Sequence, residues 1–359
     1  MKKILYKLAT DQYRAFPWGI AKFALFLLSL IYCLIIKFLN FSRQIGAACF
    51  VGCKVIGIGN LTLGGTGKTS LVEYAAAYLR SQGRRVVIVS RGYKREFTNR
   101  QSPAASYQTM GDEPFMLARK LEDIPVIVDS NRARGIKRAV EEYHAHTVIL
   151  DDAFQQWGIK KDLEIVTVDA HQGFGNKRVI PRGVLREPLS GLERADIFVL
   201  TKTNIYPDTA DIKKVLHKFN PFAQVFEAAH EPLGFFRLDS PEQLIDARSL
   251  SGRAAALFCG IGDPDSFEKL VMSLGIKIGL SFYFDDHHNY ADEDLENIFK
   301  AAKEKNIDTI ITTEKDAARL SAHQLIGSSA HQLIVLRIGL KIIKDEEGFN
   351  LRLRRVYSA

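Results

Sequence analysis

The longest apolar run of the chain lies near its start. Between Lys22 and Lys37 every residue is apolar except Ser29, so a helix built from this run is apolar on all sides, which suits lipid or a deep core. Its 14 residues span ~21 Å as a helix, whereas the hydrocarbon layer of a bilayer is ~30 Å thick. Residues 18–20 and 38–39 extend the run to a full span. We therefore predict a helix that associates with a membrane.

Basic residues surround this run. The first 50 residues contain seven Lys and Arg residues but one acid, Asp11, which favours contact with an anionic membrane surface. A cleaved secretory signal peptide has the same basic start and apolar run, and a buried core helix is a second alternative. Membrane association explains both the run and the charges, so we prefer it.

Downstream, short runs rich in Val and Ile alternate with helical stretches. These runs lack the alternation of a half-exposed strand, which is typical of a parallel sheet covered on both faces by crossover helices. The predicted strands are Val55–Gly59, Val86–Ser90, Val126–Asp129, Val148–Asp151, Ile165–Asp169 and Ile197–Thr201. The pattern predicts an α/β lobe of the P-loop NTPase type.

A glycine-rich segment, G-N-L-T-L-G-G-T-G-K-T, directly follows the first of these strands. Its glycines let backbone N–H groups close around phosphate oxygens, and a helix from about Ser70 to Leu79 adds the positive charge of its N-terminus. Lys68 is expected to reach the β- and γ-phosphates, and Thr69 to hold Mg²⁺. The predicted nucleotide-binding residues are Thr62, Leu63, Gly64, Gly65, Thr66, Gly67, Lys68 and Thr69.

The loop is a variant, because Thr62 stands where the G-x-x-x-x-G-K-[ST] pattern has its first glycine. A glycine-rich turn that binds no nucleotide is the alternative. A nucleotide loop directly after the apolar run also weighs against the signal peptide, since export would carry the loop into a compartment without ATP.

Two adjacent acids, Asp151 and Asp152, end the predicted strand T-V-I-L-D-D. A carboxylate at a strand end beside a phosphate loop is where such sites hold Mg²⁺. We predict that one of the two binds the metal, directly or through water. Two acids at a strand end can also cap a turn, which is the alternative.

A second set of apolar runs follows the Lys-rich helical stretch Asp211–Phe219. Its predicted strands are Ala254–Cys259, Ser281–Phe284, Thr309–Thr312 and Leu333–Arg337. Pro207 and Pro221 mark turns between the two sets. We predict three consecutive parts: a membrane-associating helical segment in residues 1–45, a P-loop lobe in residues 46–225, and a smaller C-terminal α/β lobe in residues 226–359.

Composition narrows the classes of function. The 359 residues carry a formal net charge of +8, which suggests nucleic acid, an acidic membrane surface or a phosphorylated substrate as partner. No stretch interleaves aromatic and basic residues, and lipid explains the cations around the apolar run, so we expect no nucleic-acid partner. The four cysteines form no C-x-x-C pair, which fits a reduced cytosolic protein.

A series of motifs resembles the tetraacyldisaccharide 4'-kinase family in order and spacing. Besides the phosphate loop they are S-R-G-Y at Ser90–Tyr93, G-D-E-P at Gly111–Pro114, L-D-D-A-F-Q at Leu150–Gln155, D-L-E-I-V-T-V-D-A at Asp162–Ala170, G-F-G-N at Gly173–Asn176 and L-R-E-P-L at Leu185–Leu189. In the second lobe they are G-I-G-D-P at Gly260–Pro264, F-D-D-H-H at Phe284–His288 and T-T-E-K-D-A-A-R-L at Thr312–Leu320.

The resemblance implies a kinase of lipid A biosynthesis at the cytoplasmic face of the bacterial inner membrane. Such a kinase uses ATP and Mg²⁺ to phosphorylate the 4'-hydroxyl of an acylated glucosamine disaccharide 1-phosphate, giving lipid IVA. In the family's pattern Asp112 acts near the attacking hydroxyl, His287 supports it and Glu187 helps to hold magnesium. Lys68 is expected to act in catalysis as well. The candidate contacts to the lipid substrate are Tyr93, Arg132, Gln155 and Arg186.

Physical chemistry is compatible with these roles, because phosphoryl transfer depends mainly on positioning and charge neutralisation. A carboxylate oriented by an imidazole can take the hydroxyl proton. We expect closure of the two lobes to bring Asp112 and His287 together. Simpler roles stay open: Asp112 as a helix N-cap before Pro114, and His287 as a loop histidine with ordinary hydrogen bonds.

The chain departs from the family pattern at two places. Ala153 and Gln156 stand where the family has the glycine and histidine of D-D-G-F-Q-H, and Gln156 cannot carry a charge. The family's L-P-A-G-P-L before R-E is replaced here by residues 180–185, among them Arg182. Arg182 either adds phosphate affinity or is surface charge.

Two other functions are compatible with a phosphate loop. A GTPase would read guanine with an aspartate near the strand end T-K-T-N, where Asn204 is a poor substitute. A membrane-docked ATPase that binds a protein partner and phosphorylates nothing would leave Asp112, Glu187 and His287 without a role. We therefore prefer the lipid kinase and keep the ATPase as the alternative.

Overall fold

The structure is a computed structural model that describes residues 8–11, 17–50, 52–92, 110–320 and 332–358. Its strands are β1 (Lys54–Asn60), β2 (Val86–Ser90), β3 (Val126–Val128), β4 (Thr147–Asp151), β5 (Leu163–Asp169), β6 (Ile197–Thr201), β7 (Gln224–Arg237), β8 (Ser240–Ile245), β9 (Ala254–Cys259), β10 (Lys277–Tyr283), β11 (Thr309–Thr313) and β12 (Gln332–Ile342). Its helices are α1 (Pro17–Ile45), α2 (Lys68–Ser81), α3 (Asp112–Lys120), α4 (Arg132–Tyr143), α5 (Ala210–Phe219), α6 (Pro264–Ser273), α7 (Asp292–Glu304), α8 (Glu314–Ala317) and α9 (Glu346–Arg355), with a 3₁₀ helix at Leu189–Arg194.

The chain folds into two compact units that are discontinuous in sequence. The first contains Met1–Arg91, Asp123–Ala229 and Ile342–Ala359, and the second contains Gly92–Glu122 and His230–Lys341. Two segments therefore depart from the predicted consecutive lobes: α3 groups with the later strands, and the last helix, α9, groups with the earlier ones. Patterns along a sequence order elements by position, so they do not reveal such returns of the chain.

The sheet of the first unit has the order β7-β6-β5-β1-β4-β2-β3, and all its pairs are parallel. This confirms the predicted α/β class. β1 lies between β4 and β5, and ligands of such sheets bind beyond the carboxyl ends of the strands where the order reverses. The glycine-rich loop after β1 and Asp151 at the end of β4 lie at this edge, since Ile58 of β1 is in register with Asp151.

Helices cover both faces of this sheet. On one face Leu150 packs with Ile136 of α4, and on the other Val168 and Phe198 pack with Leu216 of α5. Full burial of one such side chain contributes ~1.5–3 kcal/mol. Because neither face meets water, the strands need no polar side, which explains their continuous apolar runs.

The N-terminal helix α1 differs from this core. Among the described residues it is the one helix long and apolar enough to cross a membrane, and 6% of its most apolar window is buried. Leu34 and Phe38 are exposed, whereas Tyr32 and Cys33 pack against the core of the first unit. The alternative of a buried core helix is therefore wrong. Length and composition by themselves do not separate a membrane helix from a signal sequence.

The second unit has its own strand order, β10-β9-β11-β12-β7, with β8 antiparallel to β7. Leu257 and Ile311 pack with Phe267 of α6, while Phe258 packs with Ile298 of α7. The carboxyl ends of β9 and β11 lead into the G-I-G-D-P and T-T-E-K-D motifs. These motifs therefore start from neighbouring parallel strands.

All the predicted strands are present, and two further strands, β7 and β8, are not predicted. β7 contains Pro232 and Gly234, which normally interrupt a strand and are typical of a turn. The chain passes from the first unit to the second within this strand, after Ala229. β8 is S-P-E-Q-L-I, which has no alternation of apolar and polar residues.

Candidate functional site

The phosphate loop ends at a helix start that carries no competing negative charge. α2 begins at Lys68, after Gly67 with φ 74°, a left-handed conformation that glycine adopts without strain. No side chain caps this helix, and no acid lies in its first turn. Its first N–H groups and its dipole therefore favour an anion such as phosphate.

Thr62 replaces the first glycine of the usual pattern without strain. Its backbone forms an antiparallel bridge with Leu185, and the N–H of Leu63 donates to the carbonyl of Val184 at 2.8 Å. The side-chain amide of Asn60 donates to the carbonyl of Thr62 at 2.8 Å. The loop begins as a strand-like bridge, where a side chain is tolerated, so the substitution is compatible with a phosphate loop.

The middle of the loop is fixed by threonines of two neighbouring strands. Oγ1 of Thr66 is hydrogen-bonded to Oγ1 of Thr167 at 2.7 Å, and Oγ1 of Thr201 donates to the carbonyl of Thr66 at 3.1 Å. A Cβ added to the adjacent Gly65 would meet no atom within 4 Å. Hydrogen bonds therefore fix Thr66, while the space beside Gly65 is free of protein atoms. This arrangement suits a loop whose backbone N–H groups surround a phosphate.

The two predicted metal ligands have different surroundings. Asp151 is buried and accepts a hydrogen bond from Oγ of Ser90 at 3.1 Å. Asp152 accepts from Nη1 of Arg186 at 2.8 and 2.9 Å, and its Oδ1 lies 3.5 Å from Nζ of Lys68. Burial opposes the charged form of Asp152, but Lys68 and Arg186 outweigh it and hold the pKa of its carboxyl below the usual value. The structure thus brings Lys68, Asp152 and Arg186 together.

Glu187 is engaged in a buried ion pair. Both of its carboxylate oxygens accept from Nη2 of Arg194, at 2.9 and 2.8 Å, and Oε1 also accepts from Nε2 of Gln155 at 2.9 Å. Burial raises the pKa of Glu187, although Arg194 and Gln155 oppose the shift. A metal ion would have to compete with Arg194 for this carboxylate. The magnesium role of Glu187 and the substrate role of Gln155 therefore stay predictions.

Arg132 is a buried residue that holds the ends of two strands. Its Nη1 donates to the carbonyl of Asp129 at 2.8 Å, just after β3, and its Nη2 donates to the carbonyl of Asp151 at 2.9 Å, at the end of β4. Burial lowers the pKa of Arg132, although its acidic neighbours oppose the shift. In this structure its contacts are to protein backbone, and a contact to substrate stays a prediction.

Arg186 links the candidate site to the N-terminal helix. Its guanidinium pairs with Asp152, and its carbonyl accepts the hydroxyl of Tyr32 in α1 at 2.8 Å. The same residue therefore touches the nucleotide end of the first unit and the apolar helix. Tyr93, the remaining predicted substrate contact, lies outside the described residues.

These residues fit ATP and Mg²⁺. The uncapped start of α2 and the open space at Gly65 suit a polyphosphate. Mg²⁺ is usually bound by one or two protein carboxylates together with phosphate oxygens and water. Asp151 at the end of β4, the adjacent Asp152 and the hydroxyl of Thr69 in the first turn of α2 would supply such a partial set. Across the described ranges no group of three or more His, Cys, Asp or Glu side chains could hold a metal alone.

A second group of candidate residues lies in the second unit. α3 begins at Asp112, whose Oδ2 accepts from Nδ1 of His287 at 2.8 Å and from Nε of Arg319 at 2.7 Å. Burial opposes ionisation of Asp112, but His287 and Arg319 outweigh it and lower the pKa of the carboxyl to about 2. Asp112 is thus an ionised carboxylate that is oriented by an imidazole and a guanidinium.

Two expectations about this pair are wrong. The N-cap of α3 is Gly111, with φ 88°, and Asp112 uses its side chain to bind His287 and Arg319 instead. Nor do Asp112 and His287 come from separate lobes, because both belong to the second unit and are in contact there. Closure of two lobes is therefore not needed to form the pair.

Comparison with known proteins identifies the family. The family model described as LpxK: Tetraacyldisaccharide-1-P 4'-kinase matches residues 21–358, which include the phosphate loop, Asp112 and His287. The chain belongs to the tetraacyldisaccharide 4'-kinase family. It is a kinase of lipid A biosynthesis, which confirms the function class that its motifs predict.

Relatives of this family cover most of the chain. It is similar to the tetraacyldisaccharide 4'-kinase of Halothermothrix orenii, with 36% identity over 310 residues, 81% of this chain and 80% of that protein. The one from Syntrophotalea carbinolica is 38% identical over 287 residues, 78% and 77% of the two chains. The crystal structure of "apo" form LpxK from Aquifex aeolicus in complex with ATP has a TM-score of 0.73 and 29% identity, and covers 94% of this chain and 99% of that one.

Several residues around the family's motifs escape sequence reasoning. Arg319 and Asp316 lie in T-T-E-K-D-A-A-R-L, a motif that carries the resemblance but no role assigned from sequence. Arg194, the partner of Glu187, comes from an unremarkable 3₁₀ helix. The available signal for Arg319 is its spacing three residues after Asp316, which places both on one side of a helical turn.

Proposed function

We propose that this kinase transfers the γ-phosphate of ATP to the 4'-hydroxyl of a tetraacylated glucosamine disaccharide 1-phosphate. The observation that carries the proposal is the family match over residues 21–358, which contains both the phosphate loop and the Asp112–His287 contact. In the reaction the bond from the γ-phosphorus to its bridging oxygen breaks, and a bond to the sugar oxygen forms. The hydroxyl proton passes to a base, and ADP leaves.

Residues of the first unit would bind and neutralise the phosphates. Lys68 and the start of α2 supply positive charge, and Thr69, Asp151 and Asp152 would hold Mg²⁺. When bound, the metal neutralises charge on the phosphate oxygens. Because Asp152 already lies between Lys68 and Arg186, binding of a metal there requires its ion pairs to rearrange.

The Asp112–His287 pair would accept the proton of the hydroxyl. A carboxylate with a pKa of about 2 is ionised at neutral pH, but it is also a weak base. Orientation must therefore supply much of its effect, together with the imidazole, whose ring can stabilise the proton as it arrives. This supports a coupled pair rather than Asp112 alone.

We also propose that α1 holds the protein at the cytoplasmic face of the inner membrane. Its exposed apolar surface and the surrounding cations favour anionic lipid, and an acylated substrate resides in that membrane. ATP is available on the cytoplasmic side. The hydrogen bond from Tyr32 to the carbonyl of Arg186 connects this helix to the L-R-E-P segment.

The test is transfer of ³²P from [γ-³²P]ATP to tetraacyldisaccharide 1-phosphate in detergent micelles. A radiolabelled lipid whose new phosphate lies at the 4' position supports the proposal. ATP hydrolysis without a labelled lipid would favour the membrane-docked ATPase.

A second experiment addresses the membrane. Deletion of residues 1–38 is expected to release the protein from membrane pellets and to weaken use of the acylated substrate while ATP binding persists. If the shortened chain still sediments with membranes, the anchor lies elsewhere in the chain.

A further inference from the structure

Arg319 and Asp316 form a buried ion pair to which the proposed reaction assigns no role. Their side chains are 1% and 0% exposed, and Nη1 of Arg319 lies 3.1 Å from Oδ1 of Asp316. Removing two charges from water largely offsets their attraction, so a buried ion pair is weak evidence for stability. The contacts of the pair suggest a different role.

Arg319 contacts Asp112 directly and is linked to His287 through the carbonyl of Gly260. Its Nε donates to Oδ2 of Asp112 at 2.7 Å, and its Nη1 donates to the carbonyl of Gly260 at 3.2 Å. The same carbonyl accepts the backbone N–H of His287 at 3.0 Å. One guanidinium thus holds the carboxylate of Asp112 directly. Through Gly260 it also holds residues 285–288, which we call the histidine loop.

Asp316 in turn holds Arg319 and this loop. Its Oδ1 accepts from the N–H of Gly260 at 2.9 Å, from the hydroxyl of Tyr290 at 2.8 Å and from Arg319. Its Oδ2 accepts from Oγ1 of Thr313 at 2.5 Å. A carboxylate with four donors has one orientation, and it transmits that orientation to the guanidinium.

The histidine loop needs such support because its backbone is strained. His287 has φ 62°, a left-handed conformation that residues other than glycine adopt at some energetic expense. Gly260 lies close beneath it: a Cβ there would lie 3.0 Å from the carbonyl of Asp285 and 3.1 Å from Cβ of His288. The loop is therefore held against Gly260, and Gly260 is held by Asp316 and Arg319.

We propose that Arg319, fixed by Asp316, is the positioning residue of the Asp112–His287 pair. Arg319 orients the carboxylate of Asp112 and favours its ionised form. It also fixes the carbonyl of Gly260, to which the backbone N–H of His287 donates. This inference rests on the proposed function, since the pair has a role only if the protein transfers a phosphoryl group to a hydroxyl. Arg319 acts through Asp112 and His287 rather than on the reacting atoms.

The first test compares three variants in the phosphoryl-transfer assay. Arg319→Gln removes the charge and is expected to lower kcat ~10-fold to 100-fold with an unchanged KM for ATP, because the phosphate loop is untouched. Arg319→Lys keeps the charge without the fork geometry and should recover part of the loss. Arg337→Gln is the matched control, since Arg337 pairs with Glu314 of the same helix, α8, and should leave kcat unchanged.

The pH profile separates positioning from a general loss of fold. The charged groups around Asp112 are His287, Arg319, Glu113, Lys315, Asp286 and Asp316. Removing the cation at position 319 favours protonation of Asp112, so the acid limb of kcat/KM should move to higher pH by ~1 unit in Arg319→Gln. Arg319→Lys and Arg337→Gln should keep the limb in place. Acid unfolding would move the limb as well, so circular dichroism at each pH must show that the variant is folded where the limb is measured.

A double variant tests whether Arg319 acts through Asp112. In an Asp112→Asn background, Arg319→Gln should lower kcat by less than ~3-fold further, because the group that it positions is already disabled. A loss as large as in the wild-type background would overturn the inference. So would wild-type turnover, or an unmoved acid limb, in Arg319→Gln.

Asp316→Asn keeps the inference testable if Arg319→Gln does not fold. Asp316→Asn and Arg319→Lys should then each lower kcat with little change in the KM for ATP, and wild-type kcat in both overturns the inference. Failure of the wild-type protein to label the disaccharide would instead reject the proposed function, which separates the two results.

Discussion

Two of the carboxylate–arginine pairs in the described residues, one in each unit, are built differently. In the first unit Asp152 pairs with Arg186, and their side chains are 37% and 24% exposed. In the second unit Asp112 pairs with Arg319, and the exposed fractions are 12% and 1%. Asp152 also faces Lys68, whereas Asp112 also accepts from His287.

This difference matches two kinds of task. The Asp152–Arg186 pair is the more exposed of the two, so replacing Arg186 by a metal ion is expected to cost less free energy than breaking the bond between Asp112 and Arg319 would. Asp112 is held by two donors, one of which is itself fixed by Asp316, so its geometry exists before any ligand arrives. The proposed metal ligand is therefore the more exposed carboxylate, and the proposed proton acceptor is the preorganised one.

The largest effect is expected at the more exposed pair. Lys68→Ala removes a cation that pairs with Asp152 and is expected to reach the nucleotide phosphates, so it should lower turnover at least ~100-fold without unfolding the protein. The assay is labelled-phosphate transfer at saturating ATP, with circular dichroism as the folding check. Lys54→Ala is the control, because Lys54 pairs with Asp162 at the start of β1. Normal turnover of Lys68→Ala would mean that this loop is not the nucleotide-binding site.

Asp112→Asn tests the preorganised pair. It should lower kcat ~100-fold or more with little change in ATP affinity, since it removes a proton acceptor and no phosphate contact. Asp294→Asn is a matched control, because Asp294 bonds the adjacent His288 at 2.9 Å in a similar pair. Equal losses in the two variants would mean that Asp112 has only a structural role.

His287→Ala should have a smaller effect, ~10-fold to 100-fold on kcat, because Asp112 keeps its bond to Arg319. The double variant with Asp112→Asn should lose less than the product of the single losses, since the two residues act as a unit. The four proteins are compared in one transfer assay. Fully multiplicative losses would contradict the coupled pair.

The dependence of activity on Mg²⁺ concentration is expected to distinguish Asp152 from Asp112. In Asp152→Asn the Mg²⁺ concentration that gives half-maximal activity should rise ~10-fold, because a metal ligand is weakened, whereas Asp112→Asn should leave it unchanged. A magnesium titration at fixed ATP measures both. If Asp112→Asn shifts the titration and Asp152→Asn does not, the assignment of the two carboxylates is reversed.

The smallest effect concerns stability without ligands. The pKa of Asp112 in the fold is about 2, below the usual 3.8, so its contribution is present above pH ~4 and is lost as the pH falls towards 2. The contribution is on the order of 2 kcal/mol. Urea unfolding from pH 5 to pH 3 should show a steeper decline for the wild type than for Asp112→Asn. Asp308→Asn, which removes an exposed carboxylate, should follow the wild type.

Local sequence patterns predict much of this structure. The phosphate loop, the buried parallel strands and the apolar helix α1 follow from residue types at short spacing, because glycine flexibility, strand burial and helix polarity are local properties. The motif series also names Asp112 and His287 as candidates. The strands that pattern misses are β7, which contains Pro232 and Gly234, and β8, because their pairing overrides their local preference.

Only the tertiary structure decides how these candidates are used. His287 lies 175 residues from Asp112, and Arg319 lies 207 residues from it, yet all three share one set of hydrogen bonds. Likewise Thr62 is compatible with the phosphate loop because it bridges to Leu185, far along the chain. Such contacts depend on which strands become neighbours in a sheet, and that follows from packing of the whole chain rather than from residue types at short spacing. The sequence alone therefore determines the kinds of group present, and folding determines which of them are hydrogen-bonded to one another.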